Sequence, residues 1–358
     1  MRWLCDLAGY GPAAGGNLTS GGMTANLIGL KLARDRASGD RAQVKGVGER
    51  WAVYTSEERH VSVDKAVDIV GLGRESLRAL PTDDDFRVRI DALEAAIEQD
   101  KASGVLPACI VALAGSTNTG AVDDLAALAR IARREGMWLH ADAAYGGGML
   151  LSRRFPGVLA GLAEADSITI DPHKWFYAPV DAGAVLVRDG AQLTRSFGMR
   201  PAYLTDAFDG EDERYQYYVH GLEQTRRFRG LKVWMAFKRH GTEELGRWVD
   251  ANVELALRLH AAAERHPHFA SAVRPPMSAV CVRYAPARPL DEAAADALHH
   301  RVVERIEQSG EFWIGTTRLK GKTWFRACIV NFRTTSAHVD RLLALLEEEC
   351  AAALAELA

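Results

Sequence analysis

The sequence predicts an α/β protein, with a large domain on a mostly parallel sheet followed by a smaller C-terminal α+β domain. Three observations predict it. Strand-like apolar runs alternate with amphipathic helical stretches through most of the 358 residues. Two of those runs, VLPACIVALAG and MWLHADAA, are apolar without alternation, as expected of strands covered on both faces. Past about residue 235 the alternation gives way to long helices and a hairpin, so the domains are drawn as 1–235 and 236–358.

The elements follow in order. The opening MRWLCDLAGYG places Trp3, Leu4 and Leu7 at helical spacing and lacks the long apolar segment of a signal peptide. A helix is expected over 26–36, after the glycine turn TSGGMTAN, with Leu27, Leu30 and Ala33 inward. WAVYT reads as a strand, and 60–71 as a helix with Ser62 near its start. The stretch RIDALEAAIEQDKASG is a helix closed by Gly104. VDDLAALARIARREG begins with acids and ends with bases and Gly136, as suits a helix dipole. MWLHADAA and SITID are strands. In the second domain a helix over 242–265, the strand AVCVRYA and the helix DEAAADALHHRVVERIEQSG are expected. Two strands flank a tight turn at Gly321, and a last helix from 336 turns Val339, Leu342, Leu343 and Leu346 inward.

Bulk properties narrow the function. A chain that is 48% hydrophobic with a net charge of -3 has a sizeable core and no global attraction for nucleic acid or anionic membrane. No apolar run is long enough to span a bilayer. The five cysteines are scattered without metal-ligand spacing, so reduced thiols, a cytoplasmic location and no metal are expected.

Ligands of open α/β sheets sit beyond the carboxyl ends of the strands. Asp142, Lys174, His60 and Thr117 all fall at or just past predicted strand ends, and the glycine turn can offer backbone N–H groups to a phosphate. Each has an ordinary alternative: a cap for Asp142, a surface histidine for His60, a solvated lysine for Lys174. Their co-occurrence is what suggests a site. A lysine for an imine, a carboxylate for a pyridine nitrogen, a ring platform and an anion cradle are together what pyridoxal phosphate needs.

TSGGMTANLIGLKLARD, STNTGAVDDL, WLHADAAYGGG, DPHKWFYAPVDAGAVLVRD and RRFRGLKVW resemble the pyridoxal-phosphate-dependent group II amino-acid decarboxylases, such as the aromatic-L-amino-acid enzymes. The resemblance implies fold type I, pyridoxal 5'-phosphate as cofactor and a homodimer. It implies that Lys174 forms the Schiff base, Asp142 pairs with the pyridine nitrogen and His60 stacks on the ring. Thr117, His173, Gly21, Gly22, Thr24 and Ala144 complete the cofactor set. PAYLTDAFDGEDERYQYY matches the family's catalytic loop, and Tyr203 its proton-donating tyrosine. The chain departs from the family pattern at Met23 and Thr24, where Ser and Glu are usual, and it is expected to lack the N-terminal helical arm. Arg326 is a candidate for a substrate carboxylate or for a structural ion pair. The activity expected is decarboxylation of an L-amino acid, aromatic by preference. An aldehyde synthase, another fold type I enzyme such as an aminotransferase, or an inactive truncated homologue are the alternatives.

Overall fold

The apolar runs that leave no polar face become the middle of a seven-stranded sheet. A computed structural model describes residues 1–199 and 216–356. These residues form two compact units. The first comprises Met1–Ser116, Val122–Leu151 and Pro156–Leu245, and the second Thr117–Ala121, Ser152–Phe155 and Gly246–Ala358.

In the first unit the strands are β1 (Gly15–Thr19), β2 (Trp51–Ser56), β3 (Leu77–Leu80), β4 (Leu106–Leu113), β5 (Trp138–Ala143), β6 (Ser167–Ile170) and β7 (Gly183–Val187). Their order is β1-β7-β6-β5-β4-β2-β3. All neighbours from β3 to β6 pair in parallel, while β7 runs antiparallel to both β6 and β1. β4 is buried from Ala108 to Leu113 and β5 along its whole length, as double coverage requires. A buried Val, Leu or Ile side chain contributes roughly 1.5–3 kcal/mol. Ile110, Val111 and Leu113 therefore make β4 a main support of this unit.

The helices of this unit are α1 (Arg2–Leu7), α2 (Gly22–Ala37), α3 (Ala42–Lys45), α4 (Val61–Ile69), α5 (Ile90–Ala102), α6 (Leu125–Glu135) and α7 (Ala191–Phe197). α6 is well signalled. The Asp124 carboxylate accepts the Ala127 N–H at 2.9 Å, and Gly136 closes the helix in the left-handed region at φ 69°. The helix expected from residue 26 starts four residues earlier, directly on the glycine turn, and α2 is buried at Ala25, Asn26, Ile28, Gly29, Leu30, Leu32 and Ala33.

α8 (Arg229–Arg265) begins earlier than the expected 242, but its backbone breaks at Gly241, where φ is 71°. In the second unit β8 (Phe269–Ser271), β9 (Ala279–Tyr284), β10 (Gly315–Leu319) and β11 (Lys322–Cys328) form an antiparallel sheet ordered β10-β11-β9-β8. Lys320 and Gly321 both have positive φ (46° and 80°), which suits the two-residue hairpin joining β10 to β11. α9 (Glu292–Ser309) and α10 (Ser336–Glu356) cover this sheet, with Val280, Val282, Leu298, Val302, Ile306 and Phe325 at the centre of the core. On α10, Val339, Leu342, Leu345 and Leu346 are buried and Leu343 only partly, one position away from expectation.

Candidate functional site

Because β2, β4, β5 and β6 are parallel, their carboxyl ends share one edge of the sheet. The chain order reverses between β2 and β4, the place where such sheets open a crevice. β2 delivers His60 to that edge, β5 delivers Asp142 and β6 delivers the segment 171–174.

Lys174 stands on a fixed base. Its N–H donates to the Asp171 carbonyl at 2.9 Å, closing a turn directly after β6. Trp175 is fully buried and stacks on Tyr145 at 5.1 Å between ring centroids, and Phe176 packs on Phe237 at 5.7 Å. A Cβ on Gly148 would come within 2.5 Å of the Trp175 Cβ, so the bare backbone at Gly148 is what admits that side chain. The lysine side chain itself stays 44% exposed, with Nζ 3.0 Å from Asp171 Oδ2.

Asp171 is 3% exposed, and its other oxygen, Oδ1, is buried with no hydrogen-bond partner. Burial pushes this carboxyl above the usual carboxylate range, against the opposing pull of the Lys174 ammonium. His173 Nδ1 accepts the Ala182 N–H at 3.0 Å, so a neutral ring carries its proton on Nε2, which lies 3.6 Å from Asp171 Oδ2.

The glycine turn meets this segment. A Cβ on Gly22 would stand 2.9 Å from Asp171 Oδ2 and 3.1 Å from the Ala144 Cβ, and one on Gly21 3.2 Å from His173 Cε1. Side chains are thus excluded where bare backbone opens α2. Thr24 Oγ1 pairs with Ser20 Oγ at 3.1 Å.

Four residues into the same helix, Asn26 reaches the other half of the site. Its Nδ2 lies 2.8 Å from Asp142 Oδ2 and 2.9 Å from Ser62 Oγ. Asp142 Oδ1 accepts the Ala144 N–H at 3.1 Å. His60 is the N-cap of α4: its Nδ1 accepts the Ser62 N–H at 3.2 Å and lies 2.8 Å from Ser62 Oγ. Behind them, His140 is fully buried between Asn26 Oδ1 (3.0 Å) and Ser167 Oγ (2.7 Å), and burial pushes its pKa down to about 4.

Gly21, Gly22, Ala144, His173 and Lys174 are therefore gathered around Asp171, while Asp142 and His60 are joined through Asn26 and Ser62. The strand end expected at Thr117 is a correction. β4 stops at Leu113 because Ala114 bridges to Val122 and Gly115 turns the chain at φ 114°, and Thr117 falls in the second unit. Arg326, also in that unit, donates its Nε to the Asn118 carbonyl at 3.0 Å. Tyr203 lies outside the described residues. Asn26, Asp171 and His140 were missed by sequence reasoning. Asn26 had a usable signal, since it sits one helical turn from Gly22 and shares its face.

One cluster with metal-ligand chemistry occurs among the described residues: His266, His268 and Glu347. His266 Nδ1 accepts the His268 N–H at 3.2 Å, which leaves the Nε2 proton facing Glu347 Oε2 at 3.3 Å. His266 and Glu347 thus form a hydrogen-bonded pair.

Comparison with known proteins adds independent findings. The conserved domain of the pyridoxal-dependent decarboxylases matches residues 1–285. An aromatic-L-amino-acid decarboxylase of Bacillus atrophaeus is 34% identical over 352 residues, covering 97% of this chain and 72% of that protein. An L-2,4-diaminobutyrate decarboxylase of Acinetobacter baumannii is 31% identical, covering 96% of this chain and 70% of that protein. The crystal structure of mouse CSAD superposes with a TM-score of 0.89 at 29% identity, over 97% of this chain and 74% of that one.

Proposed function

Because this chain belongs to the pyridoxal-dependent decarboxylase family, we propose that it removes CO2 from an aromatic L-amino acid, with Lys174 holding the cofactor as a Schiff base. Membership makes it a carboxy-lyase of fold type I with pyridoxal 5'-phosphate as cofactor. The observation that carries the finer reading is the half-exposed Lys174 amine, 3.0 Å from Asp171 and beside the bare Gly21–Gly22 turn, on the sheet edge that also bears Asp142.

The residues fit the group. Asp171 Oδ1 is a buried oxygen in want of a donor, and the turn beside it offers backbone where a side chain would block an anion. Gly21, Gly22 and Thr24, with His173 alongside, would hold the phosphate at the start of α2. Asp142 would keep a proton on the pyridine nitrogen, His60 would lie against the ring, and Ala144 would line it. When bound, the cofactor supplies the electron sink for the pair left at Cα as CO2 departs. Tyr203 would return a proton to that carbon.

Support for an aromatic substrate comes from the 34% identity to an aromatic-amino-acid enzyme, against 31% to a diaminobutyrate enzyme. We also read the chain as a cytoplasmic homodimer that works without nucleic acid or membrane. Its free cysteines suit a reducing compartment, and no helix among the described residues is long and apolar enough to cross a membrane. In the first unit, exposed Trp3, Phe228 and Trp234 surround a cavity of about 830 Å³, which suits a subunit contact.

The test combines borohydride reduction with a substrate panel. The purified chain should take up one reducible cofactor per subunit, and Lys174→Ala none. A reducible adduct on Lys174→Ala refutes the lysine assignment. CO2 release from L-tryptophan, L-tyrosine and L-phenylalanine should exceed that from L-2,4-diaminobutyrate, and the reverse order refutes the substrate.

A further inference from the structure

We infer that Asn26 is a positioning residue, fixing the orientation of the Asp142 carboxylate and the proton of His140, and linking both to His60 through Ser62.

The chain of donors and acceptors admits one assignment. Of the two amide atoms only the nitrogen carries protons to give a carboxylate oxygen 2.8 Å away, so the Asn26 atom facing Asp142 Oδ2 is the amide nitrogen. The amide oxygen then faces His140 Nε2 at 3.0 Å, so that nitrogen carries the imidazole proton, and Thr169 Oγ1, 3.3 Å from it, is a second and longer acceptor. His140 Nδ1 is left as an acceptor and takes the Ser167 hydroxyl proton at 2.7 Å. The far end agrees independently. The Trp138 indole N–H can only donate, and it does so to Ser167 Oγ at 2.8 Å, leaving that hydroxyl free to donate onward.

In the other direction, the second Asn26 amide proton goes to Ser62 Oγ at 2.9 Å. The Ser62 hydroxyl then donates to His60 Nδ1 at 2.8 Å, and a neutral His60 carries its proton on Nε2. Turning the amide over would set oxygen against the carboxylate and NH2 against the His140 N–H. Asn26 and Ser62 are each 1% exposed, and His140 and Ser167 0%, so water cannot repair such a fault.

One side chain therefore orders two groups of β5, Asp142 and His140, and ties them to the start of α4. Asp142 has two N–H donors, the Ala144 backbone and Asn26. The first comes with the turn, and the second is supplied by α2. This inference rests on the roles proposed for Asp142 and His60 beside the cofactor.

The test compares cofactor dissociation constants, by absorbance titration with pyridoxal phosphate, for wild type, Asn26→Ala, Asn26→Asp, Asp142→Asn and the Asn26→Ala/Asp142→Asn double variant. Losing one hydrogen bond to a charged group should weaken binding about tenfold in Asn26→Ala. Asn26→Asp keeps the shape and the acceptor but sets a second carboxylate against Asp142, so it should bind more weakly still. It should recover as pH falls and the new acid becomes a donor. The titratable groups facing this position are Asp142 and His140, with His60 one hydroxyl further on. A packing role predicts the opposite order, with Asn26→Asp the better of the two variants. The Asn26 and Asp142 effects should also be non-additive. Asn26→Asp binding at least as tightly as Asn26→Ala, or strict additivity, overturns the inference.

Imidazole 15N spectra of the cofactor-free chain give a separate readout. His140 should appear as the Nε2-protonated tautomer, and an Nδ1-protonated His140 overturns the assignment. A wild type that takes up no cofactor overturns the decarboxylase mechanism instead, and the spectra of wild type and Asn26→Ala then judge Asn26 alone.

Discussion

Replacing Gly29 by alanine tests how tightly α2 is pressed onto the sheet. In an exposed helix the change would stabilise by about 1 kcal/mol, because alanine loses less backbone freedom on folding. Here the new Cβ would stand 2.4 Å from both Cε1 and Nδ1 of His140 and 3.1 Å from Cγ. The ring cannot swing aside without leaving Ser167 and Asn26, so α2 must lift away from β5. Overpacking of this kind costs about 1–3 kcal/mol, and each His140 hydrogen bond that breaks adds about 1 kcal/mol. The clash outweighs the propensity gain, and Gly29→Ala should be destabilised by about 1–3 kcal/mol. Urea unfolding of the cofactor-free protein measures this, with a lowered midpoint at unchanged slope. An unchanged or raised midpoint would refute the close approach of α2 to His140.

Three further outcomes are expected. Asp142→Asn should retain cofactor but turn over at least a hundredfold more slowly, since a neutral amide does not favour the protonated pyridine and about 1.4 kcal/mol is tenfold in rate. Near-normal turnover with bound cofactor excludes that role. Tyr203→Phe should lose amine and gain oxygen-dependent aldehyde, ammonia and peroxide, measured with and without O2. Amine at the wild-type rate assigns the proton to another donor, and peroxide equal to CO2 in the wild type makes the enzyme an aldehyde synthase. His299 donates Nδ1–H to the Ala295 carbonyl at 2.6 Å and accepts the Tyr284 N–H on Nε2 at 3.2 Å, and burial lowers its pKa to about 4. The unfolded chain takes this proton near 6.5 and the folded chain near 4. The contribution to stability is therefore whole above pH 6.5 and is lost as pH falls from 6.5 to 4, by about 3 kcal/mol at most. The His299 imidazole resonances should stay flat down to pH 5 in NMR, and titration near 6.5 contradicts the buried neutral ring.

Elements with their own local signal were legible in the sequence. β4 and β5 announce themselves by uninterrupted apolar runs, and α6 by its Asp124 cap and Gly136 stop. β1, β3, β7 and β8 were not read as strands. The sequence of β1, GGNLT, has one large apolar residue, and it is a strand only because it pairs with β7 from Gly15↔Val187 to Thr19↔Gly183. The site divides in the same way. Lys174, Asp142 and His60 stand next to strand ends and could be found from spacing. Asn26 sits in an amphipathic stretch where an amide reads as surface. It is buried because its partners lie 36, 114 and 116 residues away in the chain, and its place one turn from Gly22 is the one local sign of them. Thr117 was misplaced because a polar residue after an apolar run was taken for the strand's end, when Gly115 had already turned the chain.

The neighbours at positions 174 and 175 answer to opposite pressures. The indole of Trp175 is sealed between Tyr145 and Gly148, so almost any change there disturbs folding. The lysine beside it projects from that anchor and remains 44% exposed, so its loss leaves the packing of the indole untouched. With Lys174 in its proposed role, activity would be lost in one mutational step at position 174 while that packing survives. Drift at position 175 removes the protein altogether. A descendant of this chain that has abandoned catalysis but still folds would keep the tryptophan and show its loss one residue earlier.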